Sequence, residues 1–275
     1  MKFWKLHGIG NDFIAIDDRF NKREKGYYSD IAKKVCNRRF SVGADGFLIV
    51  KESDVVDIKM VYYNSDGSRA FMCGNGLRCF VRFVYENKIV EKEEFDVETL
   101  DGVKHVKINL KNGIIDTIKV NMGSGSFLTK DIPVKFDKEV FLNEHIKILD
   151  KAYKLNCMLM GVPHAVILVE DLDIDEVITY GAKIEKNEIF PSGINVNFVK
   201  IDDRNHISVR TWERGCGYTL GCGTGMTASA IICNKLGLIE NEVVVSSEGG
   251  SVVIDIDESI YMIGSAVKIC EGILE

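Results

Sequence analysis

The chain has 275 residues, a length that suits one large domain or two of ordinary size. Hydrophobic residues make up 46% of it, which is enough for a substantial core and excludes an intrinsically disordered chain. The net charge is −6 and no basic block stands out. The composition therefore argues against nucleic acid as a partner and gives no reason to expect binding to a membrane surface.

The N-terminal segment, MKFWKLHGIGND, lacks the apolar stretch and the cleavage site of a secretory signal peptide. No later segment reaches the length of a membrane-spanning helix. We therefore expect a cytoplasmic protein in which the eight cysteines are reduced thiols. They form no C-x-x-C pair and no histidine lies at zinc-finger spacing from them, so the sequence predicts no metal site.

Most of the chain consists of short segments whose patterns are typical of β-strands. In chain order, the clearest are FLIVK, DIKMVYY, VKHVKINL, GIIDTIKVNM, HAVILVED, NVNFVKI, HISVRTW and EVVVSSEGGSVVIDI. The turn signals between them are KNG, SDGS and EGGS. A helix is predicted after Ser29, whose hydroxyl can cap it, and Ile31, Lys34 and Val35 set its period.

Two segments share a Cys-Gly-polar-Gly pattern that opens a helix: MCGNGLRCFVRF around Cys73 and LGCGTGMTASAIIC around Cys222. Apolar or small residues then recur at helical spacing. They are Leu77, Phe80, Val81 and Val84 in the first segment, and Met226, Ser229, Ala230 and Cys233 in the second. Helices that are apolar or small almost all round are buried, so we expect each to be wrapped by strands.

A faint internal repeat links the two halves of the chain. KLHGIGNDFIAID, from Lys5 to Asp17, resembles LMGVPHAVILVED, from Leu159 to Asp171, and each precedes one Cys-Gly-x-Gly helix. The sequence therefore predicts an α/β (α+β) chain of two copies of one unit with a pseudo-twofold relation. The two helix starts are then expected to face one another across a cleft between domains, where ligand sites favour forming.

The chemistry of such a helix start centres on its thiol. Glycines there leave backbone N–H groups bare, and the helix dipole favours an anion. A thiol at this position is expected to have a lowered pKa. Inverting a carbon that bears hydrogen requires a base on one face and an acid on the other, and a thiolate and a thiol meet that requirement. We therefore interpret Cys73 and Cys222 as functional residues.

The other six cysteines are interpreted as structural. A free cysteine is most often a small buried residue. That interpretation covers Cys36, Cys79, Cys157, Cys233 and Cys270. Cys216 lies close to the second motif, but it sits in a glycine turn with no helix behind it, so we treat it as structural too.

Five segments together resemble the diaminopimelate epimerase family: HGIGNDF, YNSDGSRAFMCGNGLRCF, GVPHAVI, ERGCGYTLGCGTG and SEGGSVVI. The resemblance implies two domains, each a strand barrel around a central helix, over residues 1–121 plus 266–275 and residues 122–265. It also implies interconversion of LL- and meso-2,6-diaminopimelate, in lysine and peptidoglycan-precursor biosynthesis. Neither pyridoxal phosphate, nor another cofactor, nor a metal is expected.

The resemblance also assigns roles to individual residues. The proton-transfer residues are Cys73 and Cys222. The residues that hold the reacting carboxylate are Gly74, Asn75, Gly223 and Thr224. The substrate-binding asparagines are Asn11, Asn64 and Asn195. The distal amino-acid head is clamped by Glu213, which takes its ammonium, and Arg214, which takes its carboxylate. His164 matches a residue that helps Glu213 set the pKa values of the thiols.

The chain departs from the family pattern at two positions. Val162 stands where the family usually has an Asn that helps bind the distal end, and Tyr218 stands where it often has Glu. Both departures concern the identity of the substrate and leave the proton transfer unaffected. The main alternative is therefore a related racemase, independent of pyridoxal phosphate, that acts on another amino acid.

Two alternatives from other classes remain. A two-lobed amino-acid-binding protein without catalytic activity suits the predicted fold, but binding alone gives no reason for thiols at both helix starts. A thiol oxidoreductase suits the thiols, but the absence of C-x-x-C weighs against it. The expected partner is a small amino-acid substrate, and the family resemblance allows a homodimer.

Overall fold

A computed structural model describes residues 1–274 of the chain. Within them lie four helices: α1 Tyr27–Val35, α2 Gly74–Glu86, α3 Ile174–Glu185 and α4 Gly223–Lys235. The same residues form 17 strands: β1 Lys2–Gly8, β2 Asn11–Asp17, β3 Gly46–Lys51, β4 Ile58–Asn64, β5 Glu94–Thr99, β6 Gly102–Lys111, β7 Ile114–Gly123, β8 Glu144–Ile148, β9 Lys151–Met160, β10 Val162–Leu168, β11 Asn195–Asp203, β12 His206–Glu213, β13 Gly217–Thr219, β14 Glu242–Ser247, β15 Gly250–Ile256, β16 Ile260–Gly264 and β17 Val267–Ile273.

The chain divides into two compact units. The first unit comprises Met1–Met122 with Ile263–Glu275, and the second comprises Gly123–Met262. In the first unit, β1 and β2 form an antiparallel hairpin, β2 runs parallel to β3, and β3 is antiparallel to β4. Strand β4 runs parallel to β5, which continues through antiparallel β6 and β7. The last strand, β17, pairs with β1.

The second unit repeats this order. Strands β9 and β10 form an antiparallel hairpin, β10 runs parallel to β11, and β11 is antiparallel to β12. Strand β12 runs parallel to β14, which pairs antiparallel with β15. Helix α2 contacts β1, β2 and β3, and α4 contacts the corresponding β9, β10 and β11. The predicted α/β fold, built from two copies of one strand-and-helix unit, is therefore confirmed.

Helices α2 and α4 form the centres of their units. Nearly every residue of α2 from Gly74 to Val84 is buried, and so is nearly every residue of α4 from Gly223 to Cys233. The apolar patterns predicted this burial. The second glycine of each motif permits close contact with a strand. A Cβ on Gly76 would lie 3.2 Å from the Phe13 ring, and a Cβ on Gly225 would lie 2.3 Å from the side-chain oxygen of Asn197.

The KNG turn signal is confirmed at the β6–β7 hairpin. Asn112 and Gly113 both have positive φ angles, 54° and 75°, which is the backbone that a tight two-residue turn requires. The predicted cap of α1 is wrong. Helix α1 begins at Tyr27, two residues before Ser29, and the Ser29 hydroxyl donates to the carbonyl oxygen of Gly67 (2.7 Å).

The predicted burial of the structural cysteines is confirmed at Cys36, Cys79, Cys157 and Cys233. Burial raises the pKa of each of these thiols, to about 12 for Cys36, Cys79 and Cys233. The prediction is wrong for Cys270, which is exposed on β17. That strand carries several exposed positions, so its alternating apolar residues do not mark a buried face.

Candidate active site

Both Cys-Gly-x-Gly motifs place the cysteine at the N-cap of a buried helix. Cys73 precedes α2 with an extended backbone (φ −138°, ψ 123°), and Cys222 precedes α4 in the same way (φ −102°, ψ 109°). Neither side chain caps its helix. The first backbone N–H groups of a helix have no partner inside it and favour an anion. We refer to residues 73–76 as the α2 start and to residues 222–225 as the α4 start.

The α2 start is lined by two side-chain amides. The Cys73 Sγ lies 3.5 Å from Oδ1 of Asn11, and Nδ2 of Asn75 lies 3.5 Å from the same oxygen. Asn11 stands at the beginning of β2 and is in turn held by a carboxylate, because its Nδ2 donates to Asp45 (2.7 Å). The structure therefore brings together three of the predicted site residues of the first unit.

A network of charges fixes Asp45. Its carboxylate accepts hydrogen bonds from Asn11 and from Arg38 (2.7 Å each). Arg38 also makes two hydrogen bonds to Asp12, which contacts Lys5 as well. Burial works against ionisation of Asp12, but Arg38 and Lys5 outweigh it and hold its pKa below the ordinary value. Asn11 is therefore anchored to a carboxylate set in an ionic network.

Asn64 lies at the end of β4, opposite Gly46. Its amide nitrogen donates to the Ser68 hydroxyl (2.9 Å) inside a tight turn. The next residue in the chain, Ser65, donates its backbone N–H to the carbonyl oxygen of Asp45 (3.1 Å). The Asn64 turn is thus tied to the residue that anchors Asn11.

The α4 start has different surroundings. The Cys222 side chain is buried, with the residue only 6% exposed, and its Sγ lies 3.5 Å from the Thr224 hydroxyl. Burial, followed by the Glu213 carboxylate, raises the pKa of Cys222 well above its ordinary value. The Thr224 hydroxyl and the Gly225 N–H act in the opposite direction and are outweighed. The lowered pKa expected for a thiol at a helix start is therefore wrong for Cys222.

Three predicted substrate-binding residues are coupled at the end of β12. The Glu213 carboxylate accepts a hydrogen bond from the Thr219 hydroxyl (2.6 Å). The backbone N–H of Arg214 donates to Oδ1 of Asn195 (2.8 Å). The Asn195 amide oxygen therefore faces the Arg214 backbone, and its NH₂ group points away from that backbone. The Arg214 side chain is exposed, and Nη1 donates to the carbonyl oxygen of Ser192 (3.0 Å).

His164 is fully buried on β10, directly across from Asn195 on β11. Burial, with a smaller contribution from Arg214, lowers its pKa to about 3, so the imidazole is neutral at ordinary pH. Nδ1 lies 3.2 Å from the amide nitrogen of Asn197, which also donates to the Ala165 carbonyl oxygen. We therefore assign the proton to Nε2. Within residues 1–274, this Nε2 has no hydrogen-bond partner.

Sequence reasoning missed three residues that organise these sites. Asp45 anchors Asn11, Asn197 orients His164, and Arg78 donates to Oδ1 of Asn75 (2.9 Å). Asp45 and Arg78 are charged residues whose partners come from other elements or from the preceding turn of a helix. Asn197 stands two residues after Asn195, in the alternation NVNF, which places both side chains on the same face of β11.

Within residues 1–274, no three His, Cys, Asp or Glu side chains are grouped so that they could hold a metal ion. The helices of the same residues are all too short or too polar to cross a membrane.

Comparison with known proteins identifies the family. The family model described as "Diaminopimelate epimerase" matches residues 3–128 and 156–269. The chain is 50% identical over 273 residues to the diaminopimelate epimerase of Clostridium perfringens, covering 99% of this chain and 98% of that protein.

The chain belongs to the diaminopimelate epimerase family.

Further relatives extend the family match, and solved structures extend the fold. The diaminopimelate epimerase of Methanococcus aeolicus is 42% identical over 292 residues, covering 99% of this chain and 98% of that protein. A probable proline racemase from Agrobacterium radiobacter superposes with a TM-score of 0.75 at 14% identity, covering 100% of this chain and 92% of that one. A hydroxyproline epimerase from Agrobacterium vitis superposes with a TM-score of 0.72 at 13% identity, covering 99% of this chain and 91% of that one. The two structures show a shared fold only.

The two departures from the diaminopimelate epimerase pattern, Val162 and Tyr218, lie on strands close to His164 and Glu213. Val162 is the first residue of β10, two positions before His164, and is half-buried. Tyr218 lies on β13 opposite Trp212 and packs against the core of the second unit. Burial raises the Tyr218 pKa to about 12, so it is a neutral phenol where the family often has a carboxylate.

Proposed function

We propose that the chain is a diaminopimelate epimerase that interconverts the LL and meso forms of 2,6-diaminopimelate by two-base proton transfer. The observation that carries this proposal is the pair of thiols, Cys73 and Cys222, each at the N-cap of a buried glycine-opened helix. Family membership supports the same reaction and the same substrate. The two compact units are proposed to be the two epimerase domains, and a homodimer remains part of the proposal.

The proposed reaction begins with the thiols in different protonation states. Because the Cys222 pKa is raised, we propose that Cys222 enters as the thiol. Cys73, whose thiol donates to Oδ1 of Asn11, is then proposed to lose its proton before it acts as the base. The α C–H bond breaks as the proton moves to the Cys73 sulfur, and the electron pair stays on the substrate. The Cys222 S–H bond then breaks, and its proton forms the new C–H bond on the opposite face. One turnover exchanges thiol and thiolate, which prepares the enzyme for the reverse reaction.

The two helix starts supply the electrostatic part of the proposal. Backbone N–H groups at Gly74 and Asn75, and at Gly223 and Thr224, are proposed to hold the reacting carboxylate. As the proton leaves, negative charge is delocalised into that carboxylate, and fixed donors stabilise it without having to reorganise. Both thiols must reach the same α-carbon for this scheme to operate, and that requirement is part of the proposal.

The remaining residues are proposed to bind and orient the substrate. Asn11 and Asn195 have their amides fixed by Asp45 and by the backbone N–H of Arg214, which suits groups that must present a defined donor or acceptor. The exposed Arg214 guanidinium is proposed to bind the distal carboxylate. Glu213 is proposed to bind the distal ammonium and, with the neutral His164, to influence the Cys222 pKa. Asn64 is proposed to bind the substrate from its turn.

A side-by-side measurement of kcat/KM tests the proposed substrate. The purified chain is given LL-diaminopimelate, lysine and proline, and inversion is followed by chiral chromatography. We expect diaminopimelate to be preferred by at least about 100-fold, because a site built for charged distal groups rejects substrates that lack them. The Cys73→Ala, Cys222→Ala double variant controls for contaminating epimerases. Higher kcat/KM for an amino acid without a distal carboxylate would favour the alternative racemase.

A further inference from the structure

Arg78 is a charged residue in the interior of the first unit. It lies on α2, one turn after Gly74, and its side chain is fully buried. Arginine is almost never fully buried unless its guanidinium is well paired, because removing the charge from water is costly. It lies four residues after Gly74 and three after Asn75, so it stacks on these two residues and is a buried charge next to the α2 start.

The guanidinium of Arg78 makes contacts to three oxygen atoms of this unit. Nη2 donates to Oδ1 of Asn75 (2.9 Å), Nε donates to the carbonyl oxygen of Ser265 (3.2 Å), and Nη1 lies 3.4 Å from that of Gly74. All three acceptors are neutral. Strand β1 leaves room for the arrangement at Gly8, where a Cβ would lie 3.0 Å from Nη2 and 3.3 Å from the Asn75 Cβ.

These contacts decide which way the Asn75 amide points. A guanidinium has only donors, so the side-chain oxygen of Asn75 must face Arg78 and its NH₂ group must face the other way. That NH₂ group lies 3.5 Å from Oδ1 of Asn11, the oxygen that the Cys73 Sγ also contacts. The Asn75 N–H donors and the Cys73 sulfur therefore converge on one point at the α2 start.

We propose that Arg78 is a positioning residue, which holds the Asn75 amide with its donors turned toward Cys73 and places a positive charge beneath the α2 start. An anion at this start then meets the N–H donors of Asn75 and not the Asn75 amide oxygen. The identity of that anion, the Cys73 thiolate or the substrate carboxylate, rests on the proposed function. A flipped Asn75 would present an oxygen to either anion and disfavour it.

Arg82 offers a matched control on the same helix. It lies one turn further along α2, and its Nη1 donates to the carbonyl oxygen of Ala266, as Arg78 does to that of Ser265. Arg82 also pairs with Glu86 (2.8 Å). Both arginines thus tie α2 to residues 265–266, but Arg78 is the one that contacts Asn75. A role limited to tying α2 to residues 265–266 would be shared by the two residues.

The test is a titration of the Cys73 thiol in the full-length chain carrying Cys222→Ala. The rate of alkylation by iodoacetamide is measured against pH, and fragmentation mass spectra assign the label to Cys73. Arg78→Gln removes the charge, Arg78→Lys keeps it, and Arg82→Gln is the control. We expect Arg78→Gln to raise the Cys73 pKa by about one unit, which slows labelling about tenfold below that pKa. Arg78→Lys should recover part of the shift, and Arg82→Gln should leave the titration unchanged.

Equal titrations for Arg78→Gln and Arg82→Gln would overturn the inference. If Arg78→Gln does not fold, Gly8→Ala replaces it, because the added methyl group displaces the guanidinium from Asn75 without removing the charge. That variant should shift the Cys73 titration in the same direction by a smaller amount, and an unshifted titration would again overturn the inference. The readout needs no turnover. A chain without epimerase activity but with the expected titrations would contradict the proposed function and leave the Arg78 inference standing.

Discussion

The α2 start and the α4 start share one backbone design and differ in charge. Both open with an extended cysteine and two glycines, and both helices are buried. At the α2 start the neighbours of the half-buried Cys73 are two amides, with the Arg78 guanidinium beneath them. At the α4 start the buried Cys222 has a hydroxyl and the Glu213 carboxylate as neighbours.

The comparison shows that a helix start does not by itself determine the ionisation of a thiol. The N–H groups of both starts favour an anion, but burial and a carboxylate outweigh them at Cys222 and raise its pKa. A repeated unit can therefore supply the same backbone geometry twice and still place its two thiols in different electrostatic surroundings. An acid and a base on opposite faces of one carbon need that difference.

The largest expected effect tests whether both starts are needed. Replacing either Cys73 or Cys222 with Ala removes one proton carrier, so we expect epimerisation of diaminopimelate to fall at least about 1,000-fold. Turnover measured by chiral chromatography checks this. Cys79→Ala is the control, because this buried thiol lies on the same helix and has no proposed role in proton transfer. Near-normal epimerisation by either single variant would break the comparison.

A second prediction compares the glycines of the two motifs. A Cβ at Gly225 would meet Asn197, whose side chain is buried and held by hydrogen bonds to Ala165 and Thr211. Gly225→Ala should therefore lower the free energy of unfolding by about 2–3 kcal/mol. Gly76→Ala meets the edge of the Phe13 ring at 3.2 Å and the Cys73 Cβ at an ordinary contact distance of 3.6 Å, and it gains helix propensity, so its effect should be about 1 kcal/mol or less. Urea unfolding measures both, and equal effects would contradict this account.

A third prediction concerns pH and His164. The folded pKa of about 3 lies below the ordinary value of 6.5, so between these values the unfolded chain binds a proton that the folded chain does not. Stability from this residue is complete above pH 6.5 and is lost as the pH falls. At pH 5.5 the loss should be about 1.4 kcal/mol. His164→Gln should remove that part of the pH dependence in urea unfolding, and an unchanged slope would contradict the assignment of a neutral imidazole.

The smallest expected effect concerns Val162. Val162 cannot make the hydrogen bond that an Asn at this position would make to the distal end of the substrate. A neutral hydrogen bond is worth about 0.5–1.5 kcal/mol, so its absence should weaken substrate binding there without abolishing it. Val162→Asn should leave diaminopimelate turnover similar or improve KM by up to about tenfold. Val166→Ile, further along β10, is a control for packing changes on the same strand. A clear loss of kcat/KM in Val162→Asn would indicate that the pocket is adapted to a different side chain.

The sequence predicted the parts of the fold that depend on local patterns. The Cys-Gly-x-Gly helices follow from glycine chemistry and helical spacing, and the repeat of strand pairs revealed the two units. Helix α3 was missed, although Asp173 accepts a hydrogen bond from the backbone of Asp175 as an N-cap, and the acidic first turn is a recognisable signal.

The electrostatics of the site could not be predicted from the sequence. An arginine on a helix is ordinarily expected at the surface, and the burial of Arg78 depends on strand β1 and residue Ser265 lying against α2. The raised Cys222 pKa depends on how deeply α4 is enclosed and on Glu213, which approaches from β12. These are tertiary effects, because they bring together residues far apart in the chain.

The most direct test of the two-base account follows the fate of the α-hydrogen. LL-diaminopimelate is incubated with the chain in D₂O, and substrate and product are separated and analysed by mass spectrometry at early times. If Cys73 and Cys222 act from opposite faces, the meso product carries one deuterium at the inverted centre while the remaining LL substrate is still largely unlabelled. A meso product that retains the original hydrogen would show that one group moves the proton across both faces, and it would contradict the account.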